Sequence, residues 1–159
     1  YKEYAIDSRK IADEQVFYFQ STGLLVAGRF PPPPYKLEYF NRDLARDGRN
    51  LKNLGRAVTT GLAIGITGFF AGPGIYIIDI YALTDPLLSR QPAVLSGNWR
   101  IGHFRREIPD GYIDSISTGN NTIKDALIAK QYDKIKFITR GNLFDPKRLR
   151  AILKDNFRF

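Results

Sequence analysis

The chain has no cysteine, which excludes disulfide staples, structural cysteine–zinc sites and thiol catalysis. Its single histidine, His103, excludes a histidine-rich metal centre and leaves only a carboxylate site for a hard cation open. Acidic residues are few, 16 against 24 basic ones, giving a net charge of +8. That balance favours anionic partners: phospholipid headgroups, phosphate-bearing substrates or nucleic acid. No secretory signal opens the sequence and no Met stands at its start, so Tyr1 is expected to begin a piece of a longer polypeptide.

The rest of the composition is that of a folded protein. At 159 residues, with 43% hydrophobic and 25% charged residues, one domain with a real core is expected. Eleven Phe, nine Tyr and one Trp suit a dense interior or a surface that meets carbohydrate, nucleic acid or lipid. The expected fold is a single soluble mixed α/β domain, a small, largely buried sheet flanked by helices. An N-terminal arm (1–35) carries the proline spacer Pro31-Pro32-Pro33-Pro34, a sheet-containing core covers 36–112, and 113–159 is mainly helical.

Residues 58–78 contain no charged side chain, as a membrane-spanning helix would require. Gly61, Gly65, Gly68, Gly72, Pro73 and Gly74 punctuate the stretch, and Pro73 removes a backbone donor. Buried strands over 57–67 and 75–80, with a third candidate at 24–28, are therefore expected. So short a link between the first two implies a hairpin or a single helical turn at Phe69-Phe70-Ala71, because a parallel crossover ordinarily takes a dozen residues or more. Ahead of them, Leu37, Phe40, Leu44, Leu51 and Leu54 recur near helical spacing and Gly55 suits a C-terminal cap, with Asp47-Gly48 a possible break into two helices.

Three helix starts are legible. Asp85-Pro86 and Asp145-Pro146 each join a carboxylate cap to a proline at the first helical position. Thr122-Ile123-Lys124-Asp125 reads as a capping box with Asp in place of Glu. No glycine cluster here is a dinucleotide fingerprint, since Gly72-Pro73-Gly74 leads into a strand rather than a helix. No G-x-S-x-G elbow accompanies His103.

Asp79 interrupts an apolar strand, and a buried carboxylate needs partners. Those are Arg100, Arg105 or Arg106, a set of backbone amides at the strand end, or a ligand hydroxyl. Trp99, Ile101, His103 and Arg105 share one face of an extended segment; Arg100, Gly102, Phe104 and Arg106 share the other. Cations on both faces fit an edge or loop beside a cleft, where guanidinium groups suit phosphate or carboxylate. Ile108-Pro109-Asp110-Gly111-Tyr112 reads as a turn.

Taken in order, Ile11-Ala12-Asp13-Glu14-Gln15, Gly65-Ile66-Thr67-Gly68-Phe69-Phe70-Ala71-Gly72-Pro73, Ile78-Asp79, Ala82-Leu83-Thr84-Asp85-Pro86-Leu87-Leu88 and Trp99-Arg100-Ile101-Gly102-His103-Phe104-Arg105-Arg106 form a series. It resembles the C-terminal extracytoplasmic part of bacterial polytopic glycosyltransferases of the GT-C type, the arabinofuranosyltransferase-like group. The chain departs from that pattern at Gln15, where a basic residue is expected, and in the proline spacer. The resemblance implies a transmembrane catalytic part outside this sequence, a polyprenyl-phosphate sugar donor and a cell-envelope glycan or lipid acceptor. It implies an extracytoplasmic location at the bacterial inner membrane, with this piece capping the membrane part.

On this reading the piece contains no catalytic residue, cofactor or metal of its own. Asp79, Arg100, His103, Arg105 and Tyr112 are the expected substrate-binding residues, and Asp85 and Asp145 are structural caps. Two other readings stay open: a basic nucleic-acid-binding module using Lys147, Arg148, Arg150 and Lys154, and a purely structural docking domain.

Overall fold

The computed structural model describes residues 9–11, 13, 42–55, 58–62, 64–95 and 101–157. Over these residues the architecture is mixed α/β with a helical C-terminal third, as the sequence implies. The 24–28 strand and the proline spacer lie outside the described residues, as does the start of the periodicity at Leu37 and Phe40.

Helix α1 (Arg42–Leu54) runs unbroken through Asp47-Gly48, so the expected break does not occur. Glycine weakens a helix interior by roughly 1 kcal/mol relative to alanine, and packing explains its presence here. A Cβ at Gly48 would sit 2.3 Å from the Thr67 carbonyl oxygen and 2.8 Å from the Phe70 Cβ. The bare backbone lets α1 press directly against α2 (Ile64–Ala71), while the Arg49 guanidinium covers the Phe70 ring at 5.1 Å. Gly55 follows α1 with φ +63, the left-handed residue expected beyond a C-terminus.

The predicted strand over 57–67 is corrected. β1 spans only Val58–Gly61, and the chain winds into α2 before emerging as β2 (Tyr76–Asp79). The two strands are parallel, with Val58 opposite Tyr76 and Gly61 opposite Asp79. Parallel pairing requires the chain to travel back along the sheet, and ending β1 at Gly61 frees enough residues for a helical crossover. Locally, Ile64, Ile66 and Thr67 favour a strand, but the tertiary geometry and the groove at Gly48 override them. Gly72, with φ +78, donates its N–H to the Gly68 carbonyl at 3.0 Å and stops α2, and Pro73 cannot extend it. The charge-free stretch is thus strand, helix and strand, and no helix among the described residues is long and apolar enough to cross a membrane.

Beyond β2 the chain makes a short 3₁₀ turn (Leu88–Arg90) and then α3 (Tyr112–Thr118), α4 (Ala126–Arg140) and α5 (Pro146–Phe157). Asp125 itself caps α4, accepting from the Leu127 and Ile128 amides at 2.9 Å each. The expected capping box therefore sits three residues too early. The Thr122 hydroxyl instead donates to the Gly111 carbonyl at 3.0 Å and lies 3.1 Å from the Ser115 hydroxyl, tying the α3–α4 connection to the start of α3. Asp145 caps α5 as expected, through the Lys147 amide at 2.8 Å. The 108–112 turn also forms: Tyr112 N–H donates to the Pro109 carbonyl at 2.9 Å, with Gly111 at φ 83.

The core gathers between β2, the 3₁₀ turn, α3 and α4. Ile78, Ala82, Leu87, Leu88, Tyr112, Ile123, Tyr132 and Ile135 form one buried cluster. Fully burying a leucine or isoleucine contributes about 1.5–3 kcal/mol, so Ile78, Leu87 and Leu88 anchor the sheet end to the helices. Their burial fixes the two carboxylates that flank the following turn.

Candidate functional site

Asp79 ends β2 and is buried, at 3% exposure. Its carboxylate accepts from the amides of Tyr81 (3.0 Å), Leu83 (3.0 Å) and Thr84 (3.1 Å), and from the Thr84 hydroxyl (3.2 Å). No arginine among the described residues pairs with it. Of the alternatives raised by the sequence, the strand-end set of amides is the one present. These bonds wrap residues 79–84 into a rigid turn in which Ala82 takes φ 60, a conformation that costs a non-glycine residue about 1–2 kcal/mol.

Asp85, the next carboxylate, is also buried. It caps the 3₁₀ turn through the Leu87 and Leu88 amides at 3.0 and 2.8 Å, which is the expected role. It also receives the Tyr112 hydroxyl, 3.0 Å from both of its oxygens, and a long contact from the Tyr76 hydroxyl at 3.5 Å. Burial pushes the Asp85 carboxyl upward, against the opposing pull of these donors. Burial, reinforced by the Asp85 charge, pushes the Tyr76 and Tyr112 phenols up as well. Both phenols therefore stay protonated and act as donors.

Above this cluster lies a cleft of about 270 Å³, bounded by Tyr76, Thr84 and Pro86 on one side and α4 on the other. Tyr112 and Tyr132 meet edge to face at its base, ring centroids 5.7 Å apart, and the Tyr132 hydroxyl donates to the Ser115 carbonyl at 3.2 Å. One turn apart on α4, Lys136 and Arg140 line the same cleft. The Arg140 guanidinium stands over the Tyr76 ring at 5.2 Å, and no carboxylate among the described residues forms an ion pair with it. Lys136 donates to the Gly119 carbonyl. Aromatic walls with two cations suit a polar ligand that carries negative charge.

The sequence-predicted site residues are not all brought together. Tyr112 lies at the base of the cleft, and Asp79 holds Thr84 on its rim. His103 contacts the Tyr81 ring at 4.9 Å, with Nδ1 3.3 Å from the Ile101 carbonyl oxygen. Arg105 is exposed and pairs through its backbone with Val94. Neither lines the cleft, and Arg100 lies outside the described residues. Sequence reasoning missed Tyr76, Tyr132, Lys136 and Arg140. Helical spacing is the signal for the α4 members, since positions 132, 136 and 140 repeat at one turn.

No group of three or more potential metal-ligating side chains occurs among the described residues. The residues present can grip and orient a ligand. The Asp85 carboxylate is buried beside Tyr112 and committed to four donors. Comparison with protein-family models, with curated proteins and with solved structures gives no match to this chain.

Proposed function

We propose that this chain is the extracytoplasmic C-terminal part of a bacterial membrane glycosyltransferase. In this reading it caps the transmembrane catalytic part and binds the sugar or phosphate of a polyprenyl-phosphate donor, or a cell-envelope glycan. The observation that carries the binding role is the cleft itself: three tyrosines around a space with Lys136 and Arg140 on one wall. At about 270 Å³ it is at the small end of ligand clefts and suits roughly one sugar ring. The ordered series of motifs from Ile11 to Arg106 supports the assignment to a glycosyltransferase, and the net charge of +8 accords with an anionic ligand.

Within this reading the roles divide simply. Tyr76, half-buried, offers ring surface to the sugar, and the buried Tyr132 backs the floor of the cleft beside Tyr112. Arg140 and Lys136 receive negative charge, and Tyr112 is locked to Asp85 and fixes the base. The test is saturation-transfer NMR with a short-chain polyprenyl-phosphate sugar, on the chain and on its Arg140→Ala variant. Transfer to the sugar protons that is lost in the variant supports the reading. Equal transfer in both, or none in either, contradicts it.

A further inference from the structure

Helix α5 carries two kinds of surface. Its inner side is held to α4: Arg148 Nε donates to the Ile138 carbonyl at 2.7 Å, and Asp155 pairs with Lys134. On the outer side Leu149 and Leu153 stand one turn apart, 48% and 54% exposed, and Phe144 in the preceding loop is 85% exposed. At 100° per residue Arg150 lies about 60° round the helix from Leu153 and Lys154 about 40° further on the same side, and both are exposed. Asp155 is the helix's sole acid, and its pairing turns it away from the stripe. The outer face therefore presents large apolar side chains flanked on one side by cations, with no negative charge among them.

We propose that α5 lies along the surface of an anionic phospholipid bilayer. Phe144, Leu149 and Leu153 enter the boundary between headgroups and acyl chains, and Arg150 and Lys154 meet the lipid phosphates. An interfacial helix combines these features: an apolar face set into the membrane, and lysines and arginines drawn to anionic lipid. Charge complementarity selects this occupant. A nucleic acid would use the cations but leave the leucines and Phe144 in water. A second copy of the chain would bring the same cations against themselves. The face lies on the flank of α4 that bears Lys134, whereas Lys136 and Arg140 point to the other side, so this inference does not rest on the cleft.

The test is cosedimentation of the chain with vesicles of phosphatidylcholine alone and of phosphatidylcholine with phosphatidylglycerol. Binding is expected only to the anionic vesicles. The Leu149→Gln/Leu153→Gln variant should bind roughly tenfold or more weakly, as loss of apolar burial requires. Arg150→Gln/Lys154→Gln should weaken binding by a similar factor, since each cation near the surface is worth about 1 kcal/mol. All replaced side chains are exposed, and unchanged circular dichroism of both variants verifies the fold. Absence of binding to anionic vesicles overturns the proposal. So does binding that survives the leucine replacements, duplex DNA that displaces vesicles while binding both variants' parent through Arg150 and Lys154 alone, or a dimer in solution that the leucine replacements dissolve.

Discussion

The Tyr112 hydroxyl sits 3.0 Å from each oxygen of the Asp85 carboxylate, joining the first turn of α3 to the turn that follows β2. Oδ1 of Asp85 also receives two amides, whereas Oδ2 has only this phenol and the distant Tyr76 hydroxyl. Tyr112→Phe therefore strips Oδ2 of its one close donor. Leaving a buried acceptor unsatisfied costs about 1–3 kcal/mol, and a loss of that size is expected in urea unfolding. Tyr76→Phe removes a contact of 3.5 Å and should cost clearly less.

The same carboxylate sets a pH dependence. Burial raises the Asp85 carboxyl above its ordinary value of 3.8, so the folded chain binds this proton more tightly than the unfolded chain. Its contribution to stability is fully present below the unfolded value and is lost as pH rises through the raised folded value. Asp85→Asn abolishes that term. The stability advantage of the native chain over Asp85→Asn should then be larger at acid pH than at neutral pH. Paired unfolding curves at the two values check the sign.

Asp79 is the test of how much a carboxylate can hold by itself. Its Oδ2 accepts three donors, from the Leu83 and Thr84 amides and the Thr84 hydroxyl. An asparagine that keeps its oxygen at that position turns its NH2 onto the Tyr81 N–H, the one donor that Oδ1 accepts. Asp79→Asn should therefore cost about 1–3 kcal/mol through the orphaned Tyr81 amide, and Asp79→Ala, which orphans every donor, clearly more. Thermal unfolding of the two variants distinguishes this from a ligand-only role, in which both would be close to neutral.

Gly48 gives a prediction of opposite sign to helix propensity. Alanine in an exposed helix interior is worth about 1 kcal/mol over glycine. At this position its methyl would lie 2.3 Å from the Thr67 carbonyl oxygen, forcing α1 and α2 apart. Gly48→Ala should destabilise, by about 1–3 kcal/mol as overpacking does. A rise in the unfolding midpoint would mean that the two helices do not meet there.

Much of the fold was legible because its signals are local. Asp145-Pro146 declares a cap, Gly55 a helix end, and the spacing of Leu149, Ile152 and Leu153 a helix. Residues 64–67 form helix rather than the expected strand because β-branching at Ile64, Ile66 and Thr67 is a local preference, while the helix answers to Gly48 and to the parallel pairing of β1 with β2; the helical turn offered at Phe69-Phe70-Ala71 lies within it. The capping box failed for a related reason: Thr122 serves α3 through Gly111 and Ser115 rather than the helix after it. At the site, Asp79 and Tyr112 stood out as a polar group in a strand and an aromatic after a turn. Both turn out to be internal supports. The cleft walls come from Tyr76 and from α4, far apart in sequence and joined only by packing, so no motif announces them.

The most direct measurement of the binding role is an NMR titration of the isotope-labelled chain with a polyprenyl-phosphate sugar, following the Arg140 side-chain Nε–H and the Thr84 and Lys136 amides. Saturable shifts at these three positions, with His103 and Arg105 unmoved, are the expected result. Shifts confined to His103 and Arg105, or no saturable change at Arg140, would contradict the placement of the ligand between Tyr76 and α4.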